Sequence, residues 1–169
     1  MKLLFINGAS CAGKSTILKE IMKQRPHTFH LSFDAIKWMF SDYNRATHKD
    51  DVGKLFFAME ETILNLEYDI LCESGVWREH REKILKLAQE HGYETIEINL
   101  EADKLVLEER FKERVNIGKI HKLKMANTSI DRFNELWEIY RNEKNEEAIT
   151  YRTDLLSLDE IVSDILKKF

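Results

Sequence analysis

Apolar positions along this chain switch repeatedly between short continuous runs and helical spacing. Leu3-Leu4-Phe5-Ile6 is a continuous run of strand length, and Ile17, Leu18, Ile21 and Met22 then recur at i, i+3, i+4 spacing, which predicts a helix over Ser15 to Gln24. Pro26 closes that helix. Thr28 to Phe33 reads as a second strand, leading to Asp34 and a short helix containing Ile36, Met39 and Phe40, of which Asp34 would be the N-cap if it had no chemical role. A polar stretch, Ser41 to Asp51, separates it from a longer helix that begins near Val52, carries Leu55, Phe56, Met59, Ile63 and Leu66, and runs to about Glu67.

The alternation continues to the end of the chain. Tyr68 to Cys72 is a short apolar run expected as a buried strand, and Arg78 to His91 is a helix stopped by Gly92. Thr95 to Leu100 is a fourth strand and Ala102 to Val115 a further helix. Asn116 to Thr128 has no period and reads as a mobile loop; helix resumes over Ser129 to Glu147. A last strand, Ala148 to Arg152, precedes a helix whose start, Ser157-Leu158-Asp159-Glu160, has the form of a capping box. Strands alternating with helices predict a three-layer α/β fold: one domain over residues 1–169 with a mostly parallel, five-stranded sheet and helices on both faces.

Ligands in such sheets bind beyond the carboxyl ends of the strands, which singles out the segments after strands one, two and three. After strand one stands Gly8-Ala9-Ser10-Cys11-Ala12-Gly13-Lys14-Ser15-Thr16, a match to GxxxxGK[ST] in the strand-to-helix setting that the pattern requires. Glycines there let backbone N–H groups turn onto a phosphate chain, and the following helix adds the positive end of its dipole. Lys14 is then expected on the β- and γ-phosphates and the Ser15 hydroxyl on Mg²⁺. The GxGxxG spacing of a dinucleotide turn is absent.

Transfer of a γ-phosphoryl group needs, besides the cradle, a carboxylate for the acceptor and cations around the spreading charge. Asp34, at the end of strand two, is the expected base; Glu73, at the end of strand three, is expected to hold magnesium through water or to serve as base in its place. Arg110 and Arg114 lie four apart on one helical face, placed to reach one triphosphate. The loop behind them carries Lys119, His121, Lys122 and Lys124, so residues 116–128 read as a short basic lid that excludes water on closing. Trp38, Trp77, Arg78 and Arg81 are the candidate acceptor residues.

Composition narrows the classes. A hydrophobic fraction of 43% in 169 residues suffices for one buried core, and a net charge of −4 argues against a general nucleic-acid coat. Cys11 and Cys72 give neither a disulfide framework nor a zinc pattern. With no signal-peptide layout and no run near the roughly 18 apolar residues of a membrane span, a cytoplasmic protein without a membrane partner is expected.

In order along the chain, Gly8 to Thr16, Ser32-Phe33-Asp34, Arg81 with the helix-Gly92-strand segment, Arg110 with Arg114, and Thr153-Asp154 ahead of Ser157 to Ile165 make the sequence resemble a family. It is similar to the small P-loop kinases of the nucleoside-monophosphate-kinase-like group, nearest the branch of chloramphenicol phosphotransferase, zeta toxins and polynucleotide 5′-kinases. The resemblance implies a P-loop NTPase fold, ATP and Mg²⁺ as cofactors, Asp34 at the position of the acceptor-activating aspartate, and Arg110 and Arg114 as the pair flanking the lid. Strand three ends in Glu73 where that branch usually has aspartate. The expected activity is phosphorylation of a hydroxyl on a small molecule. A nucleoside, nucleotide or polynucleotide kinase, a zeta-like toxin, and a switch that only hydrolyses nucleotide are the alternatives, and oligomeric state is not legible.

Overall fold

The first strand explains the layering. In β1 (Lys2–Gly8), Leu3 and Phe5 point to one face of the sheet and Leu4 and Ile6 to the other, all at most 1% exposed, so the continuous apolar run belongs to a strand covered on both sides. The computed structural model describes residues 1–73, 78–121 and 128–169. After β1 come α1 (Lys14–Gln24), β2 (Thr28–Ser32), α2 (Phe33–Lys37), α3 (Arg45–Leu64), β3 (Asp69–Glu73), α4 (Arg78–Glu90), β4 (Glu94–Glu101), α5 (Lys104–Ile120), α6 (Ile130–Glu143), β5 (Ile149–Arg152) and α7 (Leu158–Lys168). The strands form one sheet in the order β2-β3-β1-β4-β5, and every pairing is parallel.

One core gathers Leu4, Ile6 and Ile98 with α1, α5, α6 and α7 through Ile17, Phe111, Phe133 and Ile165; the other gathers Leu3, Phe5 and Cys72 with α3 and α4 through Phe56, Ile63 and Ile84. Among the described residues no helix is long and apolar enough to cross a membrane.

Four boundaries differ from the expectation, each for a local reason. Ser32, not Asp34, caps α2: its hydroxyl accepts from the Ala35 amide at 3.3 Å, and Asp34 falls in the first turn. The polar stretch before Val52 is helical from Arg45, because Asn44 caps it through Ala46 N at 2.9 Å, and Glu67, at φ 58°, lies beyond the helix end at Leu64. The helix of Arg110 does not stop at Val115 but continues to Ile120, since Gly118 extends the buried row of Leu107, Phe111 and Val115. The expected loop 116–128 therefore begins as helix, and residues 122–127 lie outside the described residues. Finally, α6 ends at Glu143; Lys144 leaves the helix and its ammonium reaches Glu101 at 2.7 Å and Glu146 at 3.1 Å.

Candidate functional site

The turn from β1 into α1 has little room for side chains at its start. A Cβ on Gly8 would lie 2.8 Å from the Leu100 carbonyl oxygen, so the loop closes against β4 only with glycine there. At its other end Gly13 is left-handed (φ 94°, ψ 7°), and it caps α1 with no side-chain hydrogen bond to the first turn. Backbone donors at that helix start are thus not taken by a capping side chain, the condition for an anion to use them. Cys11 is also left-handed (φ 66°). Ser15 and Thr16 are exposed.

Lys14 folds back over the loop. Its ammonium donates to the carbonyl oxygens of Gly8 at 2.7 Å and Ala9 at 3.1 Å. Burial lowers its pKa, while the negative charges of Glu73 and Asp34 oppose the fall and Arg114 adds to it. The charges of Glu73, Asp34 and Arg114 are thus close enough to act on Lys14, whose loop follows β1, while Glu73 ends β3 and Asp34 lies two residues past the end of β2. Cys11 feels Arg114, Lys14 and Arg110 there, although burial outweighs them and holds its thiol pKa up.

The two carboxylates differ in how they are held. Asp34 is 61% exposed and pairs with Lys37 at 2.5 Å, one turn along α2. Glu73 is 12% exposed; its Oε1 accepts from the Ser32 hydroxyl at 3.0 Å and faces His30 Nε2 at 3.5 Å. Burial pushes the Glu73 pKa up, but His30, Lys14 and Ser32 together bring it below the usual carboxylate range.

Arg110 is anchored at the edge of the site: its guanidinium donates to Thr153 Oγ1 at 3.0 Å and to the Thr153 carbonyl at 2.8 Å, tying α5 to the segment after β5. One turn later the Arg114 guanidinium stands 5.5 Å from the Phe111 ring. Among the acceptor candidates, Trp38 is 40% exposed just past α2, and Trp77 lies outside the described residues.

Arg78 and Arg81 have other partners than an acceptor. The Arg78 amide donates to Glu143 Oε2 at 2.7 Å and its guanidinium to Asn142 O at 3.2 Å; the Arg81 guanidinium donates to Glu143 O at 2.9 Å and pairs with Glu97 at 3.4 Å. Both join α4 to the end of α6, and Arg81 also reaches β4. Replacing Arg81 with methionine should therefore cost about 1–3 kcal/mol of stability, read by chemical unfolding, with ATP affinity unchanged. Unchanged stability with weakened acceptor use would return Arg81 to the acceptor site.

The residue that sequence reasoning missed is His30, together with the contacts that Ser32 and His80 make. His30 and Ser32 lie two apart on β2, hence on one face, and Ser32 pairs in register with Glu73. His80, at the start of α4, stacks on Phe33 (5.4 Å, 6°), which itself stacks on Phe56 (3.9 Å, 14°), so the residue before Asp34 is packed between α3 and α4. Period-two reading of β2 would have found His30; nothing local predicts the stack.

A parallel five-stranded sheet ordered β2-β3-β1-β4-β5, with a phosphate loop between β1 and α1, defines a P-loop fold of the kinase type. The chain belongs to the AAA domain family, whose model matches residues 3–136. No curated protein matches it. Among solved structures it is similar to a Chloroflexus aurantiacus protein described as a candidate kinase, at 19% identity, covering 99% of this chain and 98% of that one with a TM-score of 0.72. A gluconokinase from Sinorhizobium meliloti matches at 17% identity over 98% of this chain and 90% of its own, TM-score 0.67. The APS kinase of Mycobacterium tuberculosis matches at 11% identity over 98% and 94%, TM-score 0.60. At these identities the likeness is one of fold.

Proposed function

We propose that this protein is an ATP-dependent phosphotransferase that moves the γ-phosphoryl group to a hydroxyl of a small molecule, with Asp34 as the base. The observation that carries the reading is the phosphate loop itself, closed on glycine against β4 and opening α1 at an uncapped helix start with Lys14 folded over it, with Glu73, Asp34 and Arg114 acting electrostatically on that lysine. Kinases of this fold act on varied acceptors, so fold alone names none.

Backbone N–H groups of Gly8 to Thr16 hold the triphosphate, and Lys14 leaves the Gly8 and Ala9 carbonyls to meet its β- and γ-oxygens. Asp34 takes the proton of the acceptor hydroxyl as that oxygen bonds to the γ-phosphorus; the bond to the β–γ bridging oxygen breaks and ADP leaves. Arg114, and Arg110 where its ties to Thr153 allow, offset the charge on the equatorial oxygens. Among the described residues no three His, Cys, Asp or Glu side chains form a metal cage. Mg²⁺ is usually held by phosphate oxygens, waters and one or two protein groups, and here the Ser15 hydroxyl and Glu73 would be those groups. When bound, Mg²⁺ neutralises developing charge on the β- and γ-oxygens. The two free cysteines, Cys11 and Cys72, are compatible with a reducing cytoplasm.

Asp34→Asn should lower the phosphoryl-transfer rate about 10²-fold or more while leaving ATP affinity near the wild-type value, as loss of a general base does. Equal losses in binding and rate would reduce Asp34 to a structural member of α2. A larger rate loss in Glu73→Gln would transfer the role of base to Glu73.

A further inference from the structure

The Glu73 carboxylate is held by one of its two oxygens. Ser32 Oγ donates to Oε1 at 3.0 Å, and His30 Nε2 faces the same atom at 3.5 Å. Among the described residues Oε2 has no hydrogen bond or ion pair. His30 Nε2 is buried and makes no hydrogen bond, so its 3.5 Å approach to Glu73 is the polar contact it has, and a buried ring nitrogen left unbonded is costly. Ser32 does a second thing at once: its oxygen accepts from the Ala35 amide at 3.3 Å and so caps the helix that carries Asp34. Parallel pairing sets the register, Ser32 beside Glu73 and His30 beside Leu71, which puts all three polar groups at the same edge of the sheet.

We infer that His30 and Ser32 are positioning residues that clamp Glu73 by Oε1 and thereby present Oε2 toward the magnesium-bearing triphosphate. A carboxylate free to rotate would exchange its oxygens; two neighbours on one oxygen fix the plane of the group. Partners that orient a metal-binding carboxylate in this way typically contribute about 10- to 100-fold to metal affinity. The inference rests on the assignment of Glu73 to magnesium in the proposed function, and its test separates the two.

The measurement is calorimetric titration of the whole protein with ATP, once in excess Mg²⁺ and once in EDTA, the ratio of affinities giving the magnesium increment. Glu73→Gln should abolish the increment, Ser32→Ala and His30→Phe should each cut it about 10-fold, and Ser32→Thr and His30→Gln, which keep a donor, should retain most of it. In a Glu73→Gln background, adding His30→Phe should change nothing further. An unchanged increment in Ser32→Ala and His30→Phe, with loss in Glu73→Gln, overturns the clamp and leaves the role of Glu73 standing. An unchanged increment in Glu73→Gln overturns that role itself. Loss of ATP affinity in EDTA as well as in Mg²⁺ makes the altered residue a structural part of the loop and overturns its positioning role.

Discussion

Lys14→Ala is expected to abolish measurable phosphoryl transfer, a loss of about 10³-fold or more, with the fold retained. The magnitude follows from where the ammonium stands. It lies at the mouth of the loop on the Gly8 and Ala9 carbonyls, 2.7 and 3.1 Å away, where burial already disfavours its charge. A triphosphate supplies the counter-charge that the carbonyls supply only as dipoles, and the gain grows as negative charge spreads in the transition state. Lys14→Ala removes two hydrogen bonds to the Gly8 and Ala9 carbonyls, which water can replace at the loop mouth, while Gly8 still fits against Leu100 and Gly13 still starts α1. Unfolding midpoints should thus stay near wild type while turnover disappears. Full turnover in this variant would remove the loop from the reaction.

The largest effect on stability is expected at Glu60, on α3. Its side chain lies on the buried stripe of α3 between Phe56 and Ile63, is 0% exposed, and neither carboxyl oxygen has a hydrogen-bond partner. Burial pushes its pKa up to about 8, against the pull of Lys83 on α4. A carboxyl whose pKa is raised on folding binds more protons in the native state than in the unfolded one. Stability is then greatest below the unfolded pKa of about 4.5 and falls as pH rises, until the group ionises through about pH 8. At about 1.4 kcal/mol per pH unit the loss comes to about 5 kcal/mol as a ceiling, since unfolding need not be complete for water to reach the group. Glu60→Met fills a similar volume without a charge. The variant should gain about 3 kcal/mol over wild type at pH 8 and much less at pH 5, read as the difference between urea unfolding curves. Acidic groups whose pKa is lowered by partners, such as Asp164 with Lys168 and Tyr151, act equally in both proteins and cancel. Equal or lower stability of the variant at pH 8 would mean that Glu60 has a partner in solution.

Legibility in the sequence followed period and motif. β1 and β3 showed as apolar runs because both faces of the sheet are covered there, and the phosphate loop showed because its backbone needs glycine at fixed places. The capping box also held, with the Ser157 amide donating to Glu160 at 2.8 Å and the Glu160 amide to Ser157 at 3.3 Å. Positions whose side chains hide their role were not legible. Gly118 sits on a buried row with nothing apolar to display, so α5 seemed to end too early. Glu60 occupies a core position that charge alone would assign to solvent. Arg78 and Arg81 follow a strand end, where ligands bind, yet distant segments of chain, Asn142 and Glu143, take up their hydrogen bonds. Contacts across about 60 residues have no periodic signature, and these decide which cations remain available to a ligand.

The most direct test of the account is transfer of labelled γ-phosphate from ATP with Mg²⁺ to a panel of nucleosides, sugars, aminoglycosides, amphenicols and oligonucleotides, run on the wild-type protein beside Lys14→Ala and Asp34→Asn. Wild type should put label on at least one hydroxyl acceptor, Lys14→Ala on none, and Asp34→Asn should do so at a rate about 10²-fold lower. Label released only as inorganic phosphate across the whole panel, with hydrolysis indifferent to Asp34→Asn, would contradict it and make the protein a nucleotide-hydrolysing switch.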